Sequence, residues 1–301
     1  MLLQKLEERG LIHPPSWLSH NTMYMTIMGS EAYGVSSGDS DKDIYGFCIP
    51  RKEMVFSHLT GEISGFGRQI QKFEQFQQHH VKDETANKGK GLQYDFGIYS
   101  IVKYFQLCME NNPNMLDSMF TPVNCVIHCT KVGNMVRDNR KMFLHKGVFH
   151  KMKGYAYSQL HKMQTKDPIG KRKELREKFG FDTKFAYHVV RLLSECEQIL
   201  TEGDLDLQEK GRREHMKAIR RGEVSEQDIR EWFAVKEKEL EKLYVTSTLR
   251  HSPDEGKIKM LLMQCLEEHY GSLDNCVVNP DAALEALREI QTILDKNRSI
   301  L

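Results

Sequence analysis

The chain has 301 residues, enough for one large domain or two ordinary ones, and 40% hydrophobic and 9% aromatic content suits a globular protein with a real core. Its 43 basic and 42 acidic side chains nearly cancel, so a polyanion would have to meet a local basic face rather than a basic whole. No apolar run approaches the ~20 residues of a bilayer span, and residues 1–9 read as an amphipathic helix start interrupted by acids, not a signal peptide, so no membrane partner is expected. Seven dispersed cysteines with no CxxC pair suggest free thiols in a reducing, hence cytoplasmic, compartment. Cys125 and Cys129 flank His128, but no second pair follows at zinc-finger spacing.

Residues 1–10 predict a short helix ended by Gly10. Residues 22–28, nearly all apolar or β-branched, predict a strand buried on both faces. Gly29-Ser30 breaks it, 36–40 form a turn, and 41–50 resume as a strand stopped by Pro50. Strands this close together imply antiparallel or mixed neighbours, because a parallel crossover needs a longer connection. The Gln- and His-rich stretch 69–81 fits either helix or strand, 83–91 is a polar loop or hairpin tip, and 92–96 alternates like a strand. A helix over 100–109 with one buried face stops at Asn111-Asn112-Pro113-Asn114, a short helix follows at 115–120, and 123–127 offers a last strand.

After about residue 130 amphipathic helices take over: 131–144, 147–164, 171–179, 182–202, 207–221, 225–242, 256–270 and 280–297. Gly222 and Gly271 suit helix ends; Ser225 with Asp228, and Asn279 with Pro280, suit helix starts. The fold class is therefore α+β: a small mixed β-sheet with flanking helices over 1–129, then an all-α domain over 130–301.

The chemistry concentrates between residues 29 and 43. Asp41 and Asp43 are two apart on a predicted strand, so both side chains leave the same face and their carboxylates can share hard cations. Gly29 lets backbone approach a ligand closely, and Ser30 offers a hydroxyl and an amide at the start of a short helix, a seat for phosphate. Alone, the acidic pair would read as a solvated strand end and Gly-Ser as an ordinary turn. Joined at this distance after a buried strand, they are far more specific.

Gly29-Ser30, then Ser40-Asp41-Lys42-Asp43-Ile44, resembles the signature of the DNA polymerase β-like nucleotidyltransferase superfamily. Three further stretches resemble the RNA-repair-associated group within it, the RlaP or YcgL-like predicted nucleotidyltransferases. They are Asp95 with the residues to Lys103, Asn112-Pro113-Asn114-Met115-Leu116-Asp117, and 184–193. Together these cover roughly 22–220; that group's pattern usually has Glu where Asp117 stands. The resemblance implies a third metal ligand, for which Asp95 is the match by position. It also implies attack of a hydroxyl on the α-phosphate of a nucleoside triphosphate (NTP) with loss of pyrophosphate. Asp41 and Asp43 would bridge two Mg²⁺ (or Mn²⁺) ions, with Asp95 helping to activate the hydroxyl.

Lys184, His188 and Arg191 recur at helical spacing and would supply a cationic wall for the β- and γ-phosphates. Tyr155 and Ser158 are candidates for base stacking and ribose contact, with Tyr157 beside them, and Ser40 joins Gly29 and Ser30 in the nucleotide set. Arg213, Lys217 and Arg220 share one helical face that would track a polynucleotide backbone. The favoured acceptor is an RNA end, perhaps of tRNA, a choice that rests on the resemblance. Nucleotidylation of a protein or small-molecule hydroxyl, and a catalytically silent binding module, stay as alternatives.

Overall fold

The computed structural model describes residues 1–36, 41–56, 72–167, 169–271, 287 and 289–294. Five strands form one mixed sheet: β1 (Thr22–Ile27), β2 (Lys42–Cys48), β3 (Gln75–Asp83), β4 (Leu92–Ser100) and β5 (Val126–Cys129), in the order β3-β4-β2-β1-β5. Strands β2 and β4 run parallel and the other neighbours antiparallel, the mixed pairing expected from two strands joined by a short turn. Gly46 of β2 is required where β1 comes closest, since a Cβ there would run into the Tyr24 carbonyl.

The alternation of each strand sends side chains to two different cores. Met25, Ile44, Phe96 and Ile98 pack under Leu3 and Leu6 of α1 (Leu2–Glu8). Arg9, just beyond α1, clamps Asp83 through two hydrogen bonds of 2.7 Å, which holds the Asp83 carboxyl below its usual range. Tyr24, Phe47 and Tyr99 face the other way, into a core that continues through the helices as far as Leu266.

Those helices are α2 (Ile101–Met109), α3 (Pro113–Phe120), α4 (Lys131–Asp138), α5 (Val148–Thr165), α6 (Lys171–Phe179), α7 (Thr183–Glu202), α8 (Lys210–Arg221), α9 (Glu226–Thr246) and α10 (Glu255–Tyr270). Their ends follow local chemistry. Ser100 caps α2, Asn112 caps α3 with Pro113 in the first position, and Ser225 and Asp228 form the expected capping box of α9. Gly222 closes α8 in the left-handed conformation. At the centre lies α7, with Phe185, Val189, Leu192, Cys196 and Ile199 all buried.

Several expectations shift. The ambiguous stretch 69–81 is a strand from Gln75 onward, because its apolar residues feed the sheet core. The strand beginning at Leu92 runs on to Ser100. Residues 123–125 are a 3₁₀ turn and the last strand starts at Val126. The single helix expected over 131–144 breaks at Asn139, whose side chain turns back to the Met135 carbonyl at 2.9 Å, and resumes as a 3₁₀ turn at Arg140–Phe143. Of the helix expected over 280–297, only 287 and 289–294 are described, and they are helical; the proposed cap at Asn279 and Pro280 lies outside the described residues. The six described cysteines are free thiols, and no helix among the described residues is long and apolar enough to cross a membrane.

Candidate active site

Asp43 and Asp95 stand opposite each other on the parallel strands β2 and β4. Neighbouring strands lie about 4.8 Å apart, so two carboxylates in register on one face are forced together. Asp43 is half-buried, and its carboxyl is pushed above its usual range, first by burial and then by the charge of Asp95; Lys184 opposes the shift, Asp41 adds to it, and His79 opposes it. Asp43 has no salt-bridge partner among the described residues. Asp41 is exposed just ahead of β2, and Ser40 lies outside the described residues.

Gly29 completes one side. The Met28 N–H donates to the Asp43 carbonyl at 2.7 Å, which carries the chain off β1 directly alongside Asp43. Gly29 then adopts a left-handed φ of 70°, and a Cβ on it would stand 2.5 Å from Asp43 Oδ2. Ser30 follows in a single turn rather than the expected short helix: the Tyr33 N–H donates to the Gly29 carbonyl at 3.3 Å and the Val35 N–H to the Ser30 carbonyl at 2.9 Å.

The other side is a feature the sequence reading missed. Strand β3 bulges between Gln78 and Val81, with His80 in the left-handed region at φ 57°. The bulge aims the His80 N–H at Asp95 Oδ1, 2.6 Å away, and brings the His79 and His80 rings to 3.8 and 3.9 Å from the same oxygen. A signal was present. Phe76 and Val81 are both buried in one core although five residues apart, an odd spacing that a regular strand puts on opposite faces. Gly29 in the turn after β1, Asp43 on β2, Asp95 on β4 and His80 in the β3 bulge thus lie side by side along one edge of the site.

Helices α5 and α7 supply the facing residues. Lys184 is exposed in the first turn of α7 and acts electrostatically on Asp43. His188 is half-buried one turn on and held well below the usual histidine range, by burial first and then by Arg191, Lys184, Arg172 and Arg220. It is therefore a neutral imidazole among cations. Tyr155 of α5 lies partly exposed, close enough to act on the Tyr45 hydroxyl, which burial raises far above its ordinary value; Ser158 is half-buried on the same helix.

Some members of the two expected binding stripes are engaged within the protein: Arg191 of one, and Arg213 and Arg220 of the other. Arg191 is 2% exposed and reaches no open phosphate site: it pairs with buried Asp117 and with Glu195 (3.1 Å), and its guanidinium lies 4.6 Å from the Tyr33 ring centroid. The Tyr33 hydroxyl donates to Asp117 at 2.7 Å, so this cluster ties the turn after Gly29 to α3 and α7. Spacing placed Arg191 in line with Lys184, but seven residues along a helix also carry a side chain from its exposed end into the core. Likewise Arg220 donates to the Val35 carbonyl at 2.6 Å and Arg213 lies over Gly34, so both brace the same turn from α8. Lys217, half-buried, is engaged with Glu214 at 3.1 Å.

Among the described residues, no three carboxylate, imidazole or thiol side chains cluster tightly enough to enclose a metal unaided. Two carboxylates abreast, one with a raised pKa and no salt bridge among the described residues, nevertheless suit a hard cation that takes its remaining ligands from water and substrate phosphates.

A glycine-bearing turn against paired strand carboxylates on a mixed sheet is what the resemblance to polymerase β-like nucleotidyltransferases leads one to expect, and a family model places the chain in that superfamily. The RlaP family, described as the RNA repair pathway DNA polymerase beta family, matches residues 4–263, and the chain belongs to it. The match extends beyond the 22–220 covered by the motifs. A 38.9 kDa uncharacterized protein of the nrdC–mobD intergenic region of Enterobacteria phage T4 is 25% identical over 126 residues, spanning 40% of this chain and 33% of the phage protein. The crystal structure of a nucleotidyltransferase-like protein from Exiguobacterium sibiricum aligns over 88% of this chain and 72% of its own at 10% identity, with a TM-score of 0.28, too distant to carry an argument.

Proposed function

We propose that the protein transfers a nucleoside monophosphate from an NTP to a hydroxyl at an RNA end, releasing pyrophosphate, with Mg²⁺ or Mn²⁺ held by Asp43, Asp95 and Asp41. The observation that carries this reading is the in-register pair Asp43 and Asp95, with Gly29 backbone pressed against Asp43. RNA as acceptor is supported by the family's description.

In this reading the turn at Gly29-Ser30 receives the triphosphate, and Lys184 with the neutral His188 offers it donors. Bound at the carboxylates, divalent ions would supply charge neutralisation for the phosphates and acidify the attacking hydroxyl. Asp95 has one oxygen committed to the His80 N–H, which fixes the carboxylate and leaves Oδ2 to orient that hydroxyl. The hydroxyl oxygen bonds to the α-phosphorus, the bond to the pyrophosphate oxygen breaks, and the proton leaves past Asp95 to solvent. Tyr155, across from Tyr45, offers a face for the base, and the helices of 130–301 close over the nucleotide.

The test is label transfer from each α-labelled NTP, with Mg²⁺ or Mn²⁺, into separate pools of RNA, protein and small hydroxyl compounds. Label should enter RNA, and Asp41→Ala with Asp43→Ala should abolish it without unfolding the chain. Transfer undiminished in that variant refutes the reading; label in the protein or small-molecule pool moves the acceptor.

A further inference from the structure

The described structure leaves a set of cations that the proposed reaction has not used. Strands β3 and β4 are joined by a hairpin that carries Lys82 at the end of β3 and Lys88 and Lys90 at its tip, all exposed and none in a salt bridge among the described residues. The nearby acids are Asp83, already clamped by Arg9, and the exposed Glu84. Asn87 (φ 52°) and Lys88 (φ 57°) hold left-handed backbone at the tip, a strain that a plain connection would avoid with glycine.

This hairpin is continuous with the carboxylates. Lys82 pairs with Gln93, which is two residues before Asp95 and so on its face of the sheet. Gln93 Nε2 meets His80 Nδ1 at 3.1 Å. A cavity of about 320 Å³ opens there, lined by Lys82, Lys90 and Gln93 and by the carboxylates Asp41, Asp83 and Glu84.

Phosphoryl transfer proceeds in line, so the attacking hydroxyl and the departing pyrophosphate occupy opposite sides of the α-phosphate. The turn at Gly29-Ser30 lies on the β1 side of the carboxylates. If it holds the triphosphate, the hydroxyl must come from the β3 side, over His80 and the hairpin. The face of α8, where Arg213 and Arg220 brace the turn, is on the nucleotide side.

Resting on the reading of this site as a nucleotidyltransferase acting on RNA, we propose that the β3–β4 hairpin is the acceptor-binding surface. Lys82, Lys88 and Lys90 contact backbone phosphates of a single-stranded RNA whose terminal hydroxyl passes through the cavity, by Asp41 and Gln93, toward Asp95. The RNA lies across the hairpin and not along α8.

The test measures binding of a short fluorescein-labelled single-stranded RNA with a free terminal hydroxyl, by anisotropy across a salt series. Replacing all three lysines with alanine should weaken binding about tenfold or more and flatten the log–log salt slope by about 2, near 0.7 for each lost contact. Lys90→Glu should weaken it further than Lys90→Ala, while Arg213→Ala with Lys217→Ala should leave it near wild type. NTP binding should be unchanged in the hairpin variants. Because the readout is RNA binding, it stands whether or not label transfer is found, and Asp43→Ala should retain it. Binding unaffected by the hairpin, binding lost instead in the α8 variant, or no RNA binding by the wild type at low salt overturns the proposal.

Discussion

Asp43 leaves no room for a side chain at position 29: a Cβ on Gly29 would meet Asp43 Oδ2 at 2.5 Å, and the backbone there is left-handed at φ 70°. Both facts act against Gly29→Ala. The substitution costs about 1 kcal/mol in backbone strain and pushes Asp43 out of register with Asp95. The expected outcome is a modest fall in melting temperature with a fall in label transfer of at least about a hundredfold. Activity falling only in proportion to the folded fraction would show that the contact is not needed.

Asp43 and Asp95 repel each other. Burial and that repulsion raise the Asp43 pKa, so its ionised form opposes folding. A raised carboxyl contributes stability at low pH that is lost as pH rises through the folded pKa. Asp43→Asn removes the repelling charge in nearly the same volume. It should stabilise the protein at neutral pH by about 0.5–1 kcal/mol in urea unfolding while abolishing transfer. Adding Mg²⁺ should narrow the difference by stabilising the wild type alone.

How far this could be read from the sequence depended on range. The run Gly29 to Asp43 is local, and the two strands around it follow from the apolar run before Gly29 and the stop at Pro50 without knowledge of the fold, while residues 37–40 of the expected turn lie outside the described residues. The pairing of Asp43 with Asp95 spans a long insertion. It was reached through the family's motif, and only the parallel register of β2 and β4 shows the two abreast. Arg191 marks the limit: spacing says that Lys184, His188 and Arg191 share a helix face, but not where along the helix the protein surface ends. Glu195 is one helical turn from Arg191 and could be read locally, but Tyr33 and Asp117 come from two distant segments, so nothing local announces that they join it around the guanidinium.

That cluster makes Arg191 a test between two roles. With the guanidinium gone, Asp117 and Glu195 are left buried without their ion-pair partner, with Arg212 acting on them only from farther off, a loss of about 3–5 kcal/mol. Arg191→Met should therefore lower stability by several kcal/mol in urea unfolding, and NTP affinity only by way of the displaced turn at Tyr33. A variant that folds with wild-type stability but binds NTP weakly would instead assign Arg191 to phosphate.

Glu195 predicts the pH response of the same cluster. Its carboxyl is 0% exposed and its pKa is raised from 4.5 to about 8, by burial first, with Arg191 opposing and Asp117 adding to the shift. One guanidinium between two buried carboxyls cannot compensate both, so the second is more stable protonated. Between about pH 4.5 and 8 the native state then binds a proton that the unfolded chain has released. Stability from this group is complete below the lower limit and declines as pH rises, by at most about 1.4 kcal/mol per unit. Glu195→Gln keeps the shape, removes the titration and leaves Arg191 paired with Asp117 alone. Urea unfolding across pH should give wild type and variant similar stability at the acid end of that window and a more stable variant at the alkaline end. Parallel curves would mean that both carboxylates stay ionised around Arg191 throughout.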